Sequence, residues 1–98
     1  MTRRIIATKE AATRLENQLD HLIDHHAPAA AHQLKQRFDS TLANHVAVFP
    51  RTGRYLAERD LWETWIPKTR LVIWYRFSDD ELVVLSVWHT SQDRDSAD

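Results

Sequence analysis

The 98-residue chain has no cysteine, one glycine, three prolines and one methionine. Without cysteine there is no disulfide framework, no thiol nucleophile and no thiolate-bound zinc. A single glycine excludes the glycine-rich loop that cradles the phosphates of a nucleotide cofactor. Long apolar runs are missing too. The longest, Leu71 to Tyr75, falls far short of the roughly 20 residues that span a bilayer. Ile5-Ile6-Ala7, behind the basic Met1-Thr2-Arg3-Arg4 start, is shorter than the apolar region of about 7–15 residues in a secretory signal. The chain therefore reads as a cytoplasmic protein with no membrane partner. Charge of one sign is also lacking: thirteen Lys and Arg against fourteen Asp and Glu leave a net −1 and a pI near 6.6. A globally basic nucleic-acid clamp is disfavoured, since such domains carry a pI above about 9.

What is present suffices for one hydrophobic core, with 43% of residues apolar. We expect a single domain over residues 1–92 and a frayed tail at 93–98, where Asp93-Arg94-Asp95-Ser96-Ala97-Asp98 is small and charged. The near-neutral total conceals an uneven spread. Residues 51–76 hold six bases and three acids, whereas residues 77–98 hold one base and six acids.

Local patterns define the elements. After a short extended piece from Arg3 to Ala7, Thr8 is placed to cap a helix, with Glu10 in its first turn. Ala12, Leu15, Leu19, Leu22, Ile23 and His26 then recur at helical spacing. Pro28 suits the first turn of a second helix, whose stripe continues through Ala31, Leu34, Phe38, Leu42, His45, Val46 and Phe49. The short connection predicts an antiparallel hairpin. Pro50-Arg51-Thr52-Gly53-Arg54 breaks it, and the lone glycine suggests a positive φ angle. Strand composition follows at Leu61 to Pro67, Thr69 to Phe77 and Glu81 to Thr90, with a turn at Ser78-Asp79-Asp80. The fold class is α+β: an N-terminal strand and a helix hairpin packed on a small, mainly antiparallel C-terminal sheet.

Strand alternation assigns Leu71, Ile73, Tyr75 and Phe77 to the core, and Val83, Leu85 and Val87 beside them. Arg70, Trp74, Arg76 and Trp88 then share an open outer face. With the turn residues Arg51 and Arg54 it forms a candidate binding surface. Arginine forks suit phosphate and carboxylate, and indole rings stack. Such a face fits a partner protein or nucleic acid, and equally a solvated sheet with packed tryptophans. His89, at the end of the last strand, could act as general acid or base, with Arg70 and Arg76 stabilising developing charge. Its parity with Val87 nevertheless turns it away from the arginine face, as for a structural histidine. His21 and His25 share a helical face at zinc-compatible spacing, but no third ligand is evident, and solvated histidines are the default. No metal and no cofactor are expected. Glu58, Asp60 and Glu63 are expected to pair with Arg54, Arg59 and Lys68.

In order and spacing, the chain from residue 3 to about 94 resembles the RelE/ParE superfamily of bacterial toxins. The residues that carry the likeness are Phe49-Pro50-Arg51-Thr52-Gly53-Arg54, Thr69-Arg70-Leu71-Val72-Ile73-Trp74-Tyr75-Arg76 and Val84-Leu85-Ser86-Val87-Trp88-His89. The resemblance implies the toxin of a type II toxin–antitoxin (plasmid stabilisation) module, neutralised by a cognate antitoxin in a heterotetramer or larger assembly. ParE-like members poison DNA gyrase and are not enzymes in this sense. RelE-like members cleave mRNA in the ribosome without metal, and Arg70 and His89 stand where some of them have catalytic Arg and His. The helix hairpin, the Pro-x-x-Gly-Arg turn and the net −1 favour the ParE branch, because binding an RNA-rich surface rewards strong positive charge. Arg51, Arg54, Trp74, Arg76 and Trp88 are then candidates for contact with the target or the antitoxin. A degenerate, non-toxic binding module is the further alternative.

Overall fold

The computed structural model describes residues 3–90, so the tail expected at 93–98 lies outside the described residues. The elements are β1 (Arg4–Ala7), α1 (Lys9–Asp24), α2 (Pro28–Thr41), a π-helical turn at Leu42–Val46, a 3-10 turn at Pro50–Thr52, β2 (Arg54–Leu56), β3 (Leu61–Trp65), β4 (Leu71–Phe77) and β5 (Glu81–His89). The strands form one sheet in the order β1-β5-β4-β3-β2. β1 runs parallel to β5 and the other pairs are antiparallel. The α+β arrangement is as expected, with β2 as an additional strand. Three residues, Arg-Tyr-Leu, are too few to show a period of two, and only pairing with β3 makes them a strand.

α1 begins where local chemistry places it: Thr8 Oγ1 accepts the Ala11 N–H at 3.1 Å. The same hydroxyl donates to the Leu85 carbonyl at 2.9 Å, tying the helix start to β5. Ala11 and Leu15 are buried on its inner face. Ala12 and Ile23, expected on that face, are exposed. His26 leaves the helix in the left-handed region, φ 58°, to make the three-residue bend into α2.

The stripe on α2 does not run unbroken to Phe49 as expected. The Ala47 N–H reaches back five residues to the Leu42 carbonyl at 2.9 Å, and this π turn holds one residue more than an α turn. Val46 and Ala47 consequently both become fully buried, while Phe49 swings out to 57% exposure and His45 to the surface.

A second irregularity resets β5. Trp74 pairs with Ser86 and Tyr75 with Val84, leaving Leu85 as an extra residue. The bulge sets two residues against one and breaks the alternation. Leu82, Val84 and Val87 therefore join the main core with Leu71, Ile73 and Tyr75. The expected core set of Val83, Leu85 and Val87 is correct only at Val87, because Leu85 falls on the opposite face. The β4–β5 turn forms at Ser78 as predicted, with the Ser78 N–H donating to the Glu81 carbonyl at 2.9 Å.

The lone glycine is needed for a reason other than the expected one. Gly53 has φ −78°, open to any residue. A Cβ at this position would lie 2.4 Å from Tyr75 Oη and 2.6 Å from the Glu63 carbonyl oxygen. Tyr75, fully buried on β4, donates its hydroxyl to the Pro50 carbonyl at 2.5 Å. Burial pushes that hydroxyl up to about 12 from 10.0, against an opposing pull from the Gly53 N–H.

Two outcomes test this junction. Gly53→Ala should destabilise the fold by about 1–3 kcal/mol in urea unfolding, since backbone on one side cannot yield. Tyr75→Phe should cost about 1–2 kcal/mol at neutral pH, through the lost hydrogen bond. The folded state holds the Tyr75 proton more tightly than the unfolded chain. Its contribution is thus complete below the unfolded value of 10.0 and is lost as pH rises toward about 12. The gap in urea midpoint between wild type and Tyr75→Phe should therefore narrow across that window.

Candidate functional site

The outer sheet face is not the open aromatic surface expected from alternation. Trp74 and Trp88 are each only 7% exposed and pack with Leu61 in a second cluster, joined by Leu56 and Leu85. Their rings lie 5.1 Å apart, tilted by 53°. Two non-local events close this face: the bulge delivers Leu85 to it, and β2 carries Leu56 beside Leu61. Arg14 of α1 lies over the Trp88 ring at 4.0 Å and Arg59 over Trp74 at 5.0 Å. Trp74 Nε1 donates to Glu63 Oε2 at 2.7 Å, and Glu63 is itself 7% exposed.

Arg76 is exposed but engaged by the backbone. Its Nε donates to the Asp60 carbonyl at 2.7 Å and Nη2 to that of Arg59 at 3.3 Å, which clamps the β2–β3 loop. Of the expected pairs in this region, Arg54 meets Glu63 at 3.7 Å. Asp60 instead accepts the Tyr55 hydroxyl at 2.6 Å. That bond is the main reason the Tyr55 proton is held above its ordinary pKa, with desolvation adding to it.

The turn residues form a patch of a different kind. Arg51 and Arg54 are both exposed, and Arg51 and Arg3 lie over the Phe77 ring at 5.5 and 5.4 Å. Phe49, Tyr55 and Trp65 stand nearby in sequence or pairing, at 57%, 47% and 57% exposure. These three aromatics were not legible as surface residues. Phe49 belonged by spacing to the helix stripe, Tyr55 acquires its orientation from pairing with Trp62 on β3, and Trp65 from pairing with Val72 on β4. An exposed arginine pair beside exposed aromatic rings is the composition of a protein-binding hot spot.

At the other end of the sheet, His89 pairs across from Leu71. It lines a cavity together with Arg70, His21 and Leu34, between the helix hairpin and the ends of β4 and β5. Sequence reasoning placed Arg70 on the outer face with Arg76. The structure separates them: Arg70 precedes β4 and borders the cavity, whereas Arg76 lies about 20 Å farther along the strand at the usual rise. His21 and His25 have ring centroids 4.1 Å apart, and His25 Nδ1 donates to the His21 carbonyl at 2.7 Å. Among the described residues no three metal-binding side chains gather, and no helix is long and apolar enough to cross a membrane.

A helix hairpin on one face of a five-stranded sheet, with a basic turn at one end, defines the class of small α+β proteins that includes the toxins of type II modules. The chain belongs to the ParE family: residues 5–94 match the family described as ParE toxin of type II toxin-antitoxin system, parDE. In fold it is similar to the solved structure described as the chromosomal ParDE TA system from P. aeruginosa. The TM-score is 0.75 at 16% identity, over 90% of this chain and 96% of that chain. No curated protein sequence matches it.

The burial of the tryptophans carries its own expected outcome. Trp74→Phe keeps most of the ring contact but leaves the Glu63 carboxylate without the indole donor. It should lower stability by about 1–3 kcal/mol, read as a shift in the urea midpoint.

Proposed function

We propose that this type II toxin acts in the cytoplasm as an inhibitor of DNA gyrase and is held inactive by its cognate antitoxin in a heterotetramer or larger assembly. The observation that carries this reading is the ParE family match over residues 5–94. Two features support it. The net charge of −1 with only three lysines suits a protein target better than an RNA-rich one. The exposed Arg51 and Arg54 beside Phe49 and Tyr55 offer planar cation forks and aromatic area to such a target. Trp74 and Trp88 then act by holding the outer face in shape, and Arg76 by fixing the adjoining loop. The antitoxin covers the sheet face or the outer groove of the hairpin.

One observation favours a second reading, ribosome-dependent cleavage of mRNA. Arg70 and His89 border the same cavity, where His89 could move a proton and Arg70 could stabilise charge on a phosphorane. In that case the protein is a metal-independent endoribonuclease.

Purified toxin should inhibit gyrase supercoiling or trap cleaved DNA, and added antitoxin should relieve it. The double substitution Arg51→Ala with Arg54→Ala should weaken inhibition by about tenfold or more if both are hot-spot contacts, a loss larger than any drop in stability from the Arg54–Glu63 pair and the Arg51–Phe77 contact. No inhibition at micromolar toxin, together with mRNA cleavage in translating extract that Arg70→Ala and His89→Ala abolish, would establish the second reading instead. Arg76→Ala should weaken the antitoxin complex by about 1–2 kcal/mol in a calorimetric titration.

A further inference from the structure

The cavity between the hairpin and the ends of β4 and β5 has a volume of about 420 Å3, within the roughly 300–1,000 Å3 of small-molecule sites. Its charge is one-sided. Arg37, Lys68 and Arg70 all line it, and no Asp or Glu does so among the described residues. The imidazoles of His21 and His89 add polar ring nitrogens to the lining. Arg37 Nη1 donates to the Lys68 carbonyl at 3.2 Å, which ties the second helix to the turn that precedes β4. Lys68 occupies that turn with φ 62°. Neither Lys68 nor Arg70 has an ion pair with a described acid.

The backbone adds to this field. α2 starts with neither a side-chain cap nor an acid in its first turn, and Ala30 of that turn borders the cavity. The positive end of a helix left in this state favours an anion. The wall behind the cations is apolar, made by Leu22, Leu34 and Leu71.

We propose that this cavity binds a small phosphate monoester whose apolar or aromatic body rests on Leu22, Leu34 and Leu71. One carboxylate is balanced by one cation. Three fixed cations drawn from two elements match a dianion, and a phosphate monoester carries a charge between −1.5 and −2 at neutral pH. Arginine supplies a two-pronged donor to its oxygens and lysine a point charge. The site lies at the end of the sheet away from Arg76, and its occupancy is independent of the gyrase reading.

The test titrates adenosine monophosphate, adenosine and inorganic phosphate into the full-length toxin, followed by amide NMR shifts and calorimetry. Saturable shifts at residues 30–37 and 68–71 are expected with the nucleotide, with weaker binding of inorganic phosphate and none of adenosine. Lys68 and Arg70 are exposed, so their removal should leave the fold intact. Lys68→Ala with Arg70→Ala should raise the dissociation constant by about tenfold or more, the loss expected for charge-assisted bonds. Lys35→Ala, which removes a cation of α2 outside the cavity, should leave it unchanged. Adenosine binding as well as its monophosphate, affinity unaltered in the double variant, or no saturable shift at millimolar nucleotide would each overturn the proposal. So would an oligonucleotide without a terminal phosphate binding more tightly than the monoester. Because supercoiling is read separately, failure here and failure of the gyrase reading are distinguishable.

Discussion

The hydroxyl of Tyr75 meets the backbone of the Pro50–Gly53 turn in the interior, and much of the remaining architecture hangs on that contact. Tyr75 sits on the central strand β4, so its hydrogen bond to the Pro50 carbonyl fixes where the helical half of the chain gives way to the sheet. The turn can approach this closely because Gly53 has no Cβ to strike Tyr75 Oη and the Glu63 carbonyl. β2 then starts at Arg54, pairs with β3, and brings Leu56 beside Leu61 over the two tryptophans. A buried junction thereby also determines where Arg51 and Arg54 are displayed.

The sheet has two apolar faces. One carries the helices. The other is closed by Trp74 and Trp88 under cover of Arg14 and Arg59, which spread guanidinium groups over indole rings. A cation lying on an aromatic face keeps its polar edge in water while its flat surface shields the ring. The basic residues therefore divide by task. Arg14, Arg59 and Arg76 hold the outer face and its loop, Arg51 and Arg54 stand out at the turn, and Arg37, Lys68 and Arg70 gather at the opposite end. A net charge near zero hides this partition.

Several local features were legible because their causes lie within a few residues. Thr8 caps α1, Pro28 opens α2, and Ser78 accepts the N–H groups of Asp80 and Glu81 to turn the last hairpin. The order of elements could be read from spacing, and the chain in that order resembles the RelE/ParE superfamily. The errors cluster where periodicity is broken by a single residue. The π turn at Leu42–Val46 exchanges Phe49 for Ala47 in the core, and the bulge at Leu85 reverses the faces of the first half of β5. No local composition marks either event, since each is chosen by how the element packs against the rest of the core.

The same division runs through the functional residues. Sequence alone determined an α+β order of elements and a basic segment around Arg51 and Arg54, and named Arg70 and His89 as candidates, because these follow from composition, spacing and order. Only the tertiary structure decided which of them share a site. It buried Trp74 and Trp88, engaged Arg76 with the loop backbone, and set Arg70 beside His89, Arg37 and Lys68 around one cavity. The reason is physical: strand alternation specifies two faces but not what covers them, and a cavity is formed by elements far apart in the chain.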